Sequence, residues 1–214
     1  MIIATAMQKG GVGKTPTALA LGSELAHAGR RVLLVDLDPQ SNLTEGLGFD
    51  PTRLEGSSIY EAMLHPDLTD NYMLHSEIGV DLLPATLELA GAEIAFAGRF
   101  GRELLLRNTL APLRRSYDFI IIDSPPSLGL FTVNALTAAD SIIVPMQAHV
   151  FALGAMAQLE NTISMIRQLN PQLAIGGIVI TMVDRRTSVN AMIEQEARDR
   201  YGDLVLKATI PFSV

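Results

Sequence analysis

Two uninterrupted aliphatic runs, Ile120-Ile121-Ile122 and Ile178-Val179-Ile180, restrict the fold more than any other feature of this chain. Side chains alternate faces along a strand, so a strand that is apolar at every position must be covered on both sides. That is the situation of an inner strand in a parallel sheet. Strand patterns recur at 2–7, 31–36, 79–83, 118–122, 141–145, 175–182 and 204–208. Helical patterns lie between them, at 17–28, 59–64, 87–96, 102–115, 128–138, 153–169 and 189–201. Gly29 suits a helix C-terminal cap, and Asn170-Pro171 stops the sixth helix. The alternation predicts an α/β chain: a doubly wound, mostly parallel sheet with helices on both faces and ligands at the carboxyl ends of its strands. Segments 46–54 and 64–79 read as exposed connections. No repeat, linker or low-complexity stretch divides the 214 residues, and that length suits one domain, 1–214, rather than two.

Composition removes several classes of function. There is no cysteine, which excludes a disulfide scaffold, a thiolate zinc site, a cysteine-ligated iron–sulfur cluster and a thiol nucleophile. Lys plus Arg is 16 and Asp plus Glu is 23, so the net charge of −7 argues against a wholly basic nucleic-acid binder and leaves room for a local basic patch. Residues 1–7 are apolar but lack a basic leader. Residues 141–159 carry no Asp, Glu, Lys or Arg, yet Pro145, Gln147, His149 and Gln158 interrupt them, which fits a buried strand followed by a helix better than a membrane span. These features predict a cytoplasmic protein. His65 and His75 stand in a polar connection, where solvated imidazoles are commoner than metal ligands.

Lys9-Gly10-Gly11-Val12-Gly13-Lys14-Thr15 follows the first strand and opens the first helix. From Gln8 it nearly fits G-x-x-x-x-G-K-[ST], with Gln8 in place of the first glycine. Glycines let successive N–H groups converge on one anion, and the helix N-terminus adds the positive end of its dipole. Lys14 suits the β- and γ-phosphates, and the Thr15 hydroxyl suits Mg²⁺. A dinucleotide loop is the alternative, with Asp36 as its acidic residue, but it leaves Gly-Lys-Thr unexplained. Pro16 fits the first helical turn, where a missing N–H removes no helix bond, but that N–H is then unavailable to a phosphate. Two more strands end in acids, Val35-Asp36-Leu37-Asp38-Pro39-Gln40 and Ile122-Asp123-Ser124-Pro125-Pro126. Asp123 reads as a Walker B acid holding Mg²⁺ directly or through water. Asp38 is a candidate for orienting the attacking water, with turn formation as the other reading.

With KGGVGKT, RVLLVDLDPQSN, DFIIIDSPPSLG, TAADSIIVPMQ and ITMVDRRT in place, the chain resembles the ParA/Soj family of partition ATPases, in the ParA–MinD group of P-loop proteins. The resemblance spans residues 2 to about 190. It implies a P-loop NTPase fold with ATP and Mg²⁺ as cofactors. Lys9 matches the signature lysine of a deviant Walker A motif, which in the family crosses an ATP-bound homodimer to the partner's phosphates. Gly10, Gly11, Val12, Gly13, Lys14, Thr15 and Pro16 match the phosphate cradle. Asp38 matches the acid needed for hydrolysis, and Thr15, Asp123 and Asp38 form the magnesium side. The resemblance further implies weak ATPase activity without a partner, non-specific DNA binding, a ParB-type partner and a nucleoid-associated place in the cytoplasm. Cargo positioning and a MinD-like membrane switch are the related readings; the latter needs a C-terminal amphipathic helix not seen here, so no stable membrane association is expected. Two departures stand out: Pro16 replaces the family's usual Thr, and the sequence stops at Val214, where relatives continue into a segment carrying adenine contacts and basic residues. Arg185, Arg186, Arg198 and Arg200 are the basic candidates for DNA phosphates.

Overall fold

The computed structural model describes residues 1–149, 152–184 and 188–212. Its centre is an eight-stranded sheet. In chain order the strands are β1 (Ile2–Thr5), β2 (Val32–Asp36), β3 (Leu74–His75), β4 (Asp81–Leu83), β5 (Phe119–Asp123), β6 (Ser141–Gln147), β7 (Ala174–Val183) and β8 (Val205–Pro211). They lie side by side as β3-β4-β2-β5-β1-β6-β7-β8. Every pairing is parallel except β3 with β4. The helices are α1 (Lys14–His27), α2 (Asn42–Gly46), α3 (Ile59–Leu64), α4 (Leu89–Phe96), α5 (Leu105–Leu110), α6 (Leu130–Ala138), α7 (Ala152–Ile166) and α8 (Ser188–Tyr201).

Alternation along the strands separates two cores. Leu33 and Val35 of β2 and Ile120 and Ile122 of β5 join a large core with residues of α3, α4, α5, α6 and α7. Val32, Leu34 and Ile121 face the other way and meet Ala18 of α1 and Leu43 of α2. Helices therefore cover both faces, as the aliphatic runs require. The order reverses around β1, the innermost strand of the first βα unit, and such a switch point opens a crevice at the strands' carboxyl ends.

The structure corrects several expected boundaries. The 102–115 pattern is not one helix: α5 is flanked by 3₁₀ turns at Arg102–Leu104 and Pro112–Arg115, because Pro112 cannot donate to a continuing helix. Segment 64–79 holds a 3₁₀ turn, Pro66–Tyr72, and the edge strand β3. A two-residue strand is too short to show periodicity. The His75 ring nitrogen pairs with Asp81 across the β3–β4 edge. No helix among the described residues is long and apolar enough to cross a membrane.

Candidate nucleotide site

The glycine-rich loop joins β1 to α1 at the carboxyl edge of the sheet. Gly11 and Gly13 have φ of 69° and 90°, values that a side-chain-bearing residue adopts only with strain. Gly13 precedes α1 directly, so the curl of the loop ends at the helix's free N–H groups. Thr17 returns its hydroxyl to the Gly13 carbonyl at 2.6 Å. Pro16 falls in the first turn as expected, with its ring exposed on the wall of a cleft of about 600 Å³. Gly10, Gly11, Lys14, Thr15, Asp38 and Pro126 also line that cleft. Met182, whose φ of 53° sets it in the left-handed region at the end of β7, closes one side.

Two lysines point in different directions. Lys14 is buried, and its ammonium turns back to the Lys9 carbonyl at 3.3 Å. Burial lowers its pKa from the usual lysine value, while Asp123 and Asp38 oppose that shift. The Lys9 ammonium leaves the loop sideways and donates to Gln147 Oε1 at 3.0 Å. Gln147, the last residue of β6, stands in register with Thr181 of β7. Thr181 donates its hydroxyl to the Val12 carbonyl at 2.8 Å, and its side chain lies under Gly13. Two neighbouring strand ends thus hold the loop at two points.

The acids sit where β2 and β5 end, with Asp36 and Asp123 paired in register. Asp123 is fully buried. Its Oδ1 accepts the Thr5 hydroxyl at 3.0 Å, but Oδ2 finds no hydrogen-bond partner among the described residues. Burial pushes its pKa up to about 6, against the nearby Thr15 and Thr5 hydroxyls and Lys14. The Thr15 hydroxyl is near enough to lower that value without making a well-formed bond to Oδ2. An orphaned buried carboxylate oxygen near the Thr15 hydroxyl and Asp38 is an all-oxygen environment that fits a hard cation. No cluster of three His, Asp or Glu side chains suited to a metal occurs among the described residues. The protein would therefore supply few ligands and leave the rest to phosphate and water, as Mg²⁺ sites commonly do.

Asp36 is not a ribose ligand. Its carboxylate is fully buried and organises the turn after β2. Oδ2 accepts the Thr44 N–H and hydroxyl at 3.0 and 2.8 Å, and Oδ1 accepts the Asp38 N–H at 3.1 Å. Burial first and the Asp123 charge second raise its pKa to about 7. Asp38 forms the turn after β2 and also lines the cleft. Its Oδ1 accepts the Gln40 N–H at 3.0 Å, closing that turn.

The other expectations land unevenly. Arg198 is committed locally: it binds Glu194 at 2.7 Å and reaches the Val205 and Leu206 carbonyls. Arg200 pairs with Glu160 at 3.7 Å. Arg185 and Arg186 lie outside the described residues. Gln147, Thr181 and Glu93 had no assigned place in the sequence reading. Gln147 is a polar residue closing an apolar strand, the signal that also marks Asp123, while Thr181 interrupts the apolar run of β7 two residues before its end. Glu93 carried none: from α4 it accepts the Leu130 N–H at 2.9 Å and caps α6, whose N-cap residue Gly129 has no side chain to do so.

A family described as an AAA domain matches residues 1–175. Over its whole length the chain is 44% identical to the sporulation initiation inhibitor protein Soj of Bacillus subtilis, covering 85% of that protein. It is equally identical to the chromosome partitioning protein ParA of Myxococcus xanthus, covering 76% of it. The chain belongs to the ParA/Soj family. Its fold agrees with that membership: a Mycobacterium smegmatis protein described as cobyrinic acid a,c-diamide synthase superposes with a TM-score of 0.91 at 43% identity, over 99% of this chain and 86% of that one, and was solved with ADP and magnesium. The ParA/Soj loop that this chain carries as KGGVGKT is the one described above, at the switch point of the sheet.

Proposed function

We propose that this chain, as one P-loop domain, is an ATPase that closes as an ATP-dependent homodimer, binds DNA non-specifically and drives plasmid or chromosome partition with a ParB-type partner. The observation that carries the reading is the unpartnered Oδ2 of buried Asp123, set beside Thr15 and Lys14 where a glycine loop meets a helix N-terminus. A buried carboxylate with an empty lone pair is costly, and a magnesium-bound triphosphate relieves it. The chromosome-partition names of the curated relatives support the biological part.

In this reading the N–H groups of residues 10–16, except Pro16, cradle the phosphates. Lys14 leaves the Lys9 carbonyl for the β- and γ-oxygens. Thr15 and Asp123 would hold Mg²⁺, which would supply neutralisation of phosphate charge. Asp38 orients the attacking water from a turn fixed by Asp36. Lys9 serves the partner protomer's phosphates, a cation placed where charge develops. DNA contact is to phosphates and is salt-sensitive.

Steady-state phosphate release with Mg-ATP tests the catalytic part. Wild type should turn over slowly and Asp38→Ala should fall to the buffer rate. Equal rates remove catalysis from the account. Light scattering of Asp38→Ala with ATP should show a dimer, and retention on non-specific DNA should require ATP and fade with salt.

A further inference from the structure

We propose that Gln147 is a positioning residue: in the resting protomer it parks the Lys9 ammonium against β6, and dimer closure has to break that contact. The proposal rests on the reading of Lys9 as a cation delivered to a second copy of this chain.

The geometry is specific. Lys9 opens the loop, yet its ammonium ends 3.0 Å from an amide oxygen 138 residues away. Gln147 ends β6 and its register neighbour Thr181 lies near the end of β7, and lateral neighbours in a parallel pair present their side chains on the same face. Thr181 holds the loop's Val12 carbonyl at 2.8 Å. The backbone under Lys9 is therefore anchored while its side chain is tied separately. An ammonium held on its own sheet cannot at the same time touch another protomer's phosphate. Release is thus a step in closure, and its cost belongs to this contact.

The chemistry of the partner suits a latch rather than a lock. A neutral amide oxygen gives Lys9 one charge-assisted hydrogen bond and no opposing charge. A carboxylate in its place would form an ion pair and compete with the incoming phosphates. With no side-chain acceptor the Lys9 ammonium would be free beside the Lys14 ammonium, which is tied only to the Lys9 carbonyl, and the two would repel each other across the glycine loop. A contact of this kind shifts the parked population by about three- to tenfold.

The chain's three lysines, Lys9, Lys14 and Lys207, make the parking measurable. Lys207 is exposed and serves as internal reference. In nucleotide-free protein, Gln147→Leu should speed acetylation of Lys9 relative to Lys207 by about threefold or more, and Gln147→Glu should slow it. With Mg-ATP in an Asp38→Ala background, Gln147→Leu should tighten self-association by a similar factor. That gain should vanish when Lys9→Ala is added. Unchanged Lys9 labelling in both Gln147 variants overturns the proposal. So does tightening that survives Lys9→Ala, since the effect would not pass through Lys9. If the protein labels as expected but never self-associates with Mg-ATP, the parking holds and the partner-directed role of Lys9 falls instead.

Discussion

Replacing Asp123 by asparagine should make the nucleotide-free protein more stable while removing its response to magnesium. The unfolded-state value of an aspartate is about 3.8 and the folded value here is about 6. A gap of roughly two units corresponds to about 3 kcal/mol held against the fold at neutral pH. Asparagine keeps an oxygen for the Thr5 hydroxyl that now bonds at 3.0 Å. It removes the buried charge, and with it the repulsion that raises the pKa of Asp36. Against this, its new N–H₂ occupies the unpartnered Oδ2 position, at about 1–2 kcal/mol, and Lys14 loses one of two carboxylate neighbours. The net gain is about 1 kcal/mol or slightly more, or about 2–4 °C in Tm for a chain of this size.

The pH dependence gives the sharper check. The folded value lies above the unfolded one. The wild-type group therefore favours the fold fully below about pH 4 and loses that contribution as pH rises through about 6. The advantage of Asp123→Asn should be complete at about pH 8 and should reverse at about pH 4, where the cost of about 1 kcal/mol for its unpaired N–H₂ outweighs what is left of the charge term. Scanning calorimetry of both proteins across that range, with and without Mg-ATP, measures it. A lower Tm for the variant at about pH 8, or an advantage that ignores pH, refutes the argument that the site stores strain in this one carboxylate.

Three further outcomes follow from single contacts. Affinity for the magnesium-nucleotide complex should fall as pH drops below about 6, by up to tenfold per unit, because Asp123 must be ionised to bind a cation; isothermal titration at a series of pH values would show it. Thr181→Val keeps the shape of a fully buried side chain but strips the Val12 carbonyl of its donor, so nucleotide binding should weaken about three- to tenfold and Tm should fall by about 2–4 °C. Glu93→Ala and Gly129→Ala should each cost about 1 kcal/mol and the double variant no more than either, since a methyl on Gly129 would run into Glu93 Oε1 and displace the same cap; denaturant titrations of the four proteins give the coupling.

What could be read in the sequence and what could not divide along a physical line. The sheet was legible because burial on both faces leaves the aliphatic runs at 120–122 and 178–180 no other arrangement. The phosphate loop was legible because the curl at Gly11 and Gly13 needs positive φ, which few residues tolerate. Asp123 was visible as a charge ending an apolar strand. The contacts that tune the site were not legible, since each joins residues far apart in the chain: Lys9 with Gln147, Thr181 with Val12, Glu93 with Leu130. None leaves a local period or spacing, and pairing them requires the strand order, which the elements alone do not fix.

Asp36 shows how far a correct residue type can mislead. An acid ending the second strand of a βαβ unit with a glycine-rich turn is what a dinucleotide site also places there. The distinction lies in burial. A ribose ligand must reach solvent-side ligand atoms, whereas Asp36 has no exposed surface and spends both oxygens on Thr44 and the Asp38 N–H. Those bonds oppose burial and the Asp123 charge, which together still raise the Asp36 pKa to about 7. The turn carrying Asp38 thus depends on a buried carboxyl kept beside another buried carboxyl. That arrangement lowers the stability of the protein and couples the two carboxyls, so a change at Asp123 is felt at Asp36 and at the turn it organises.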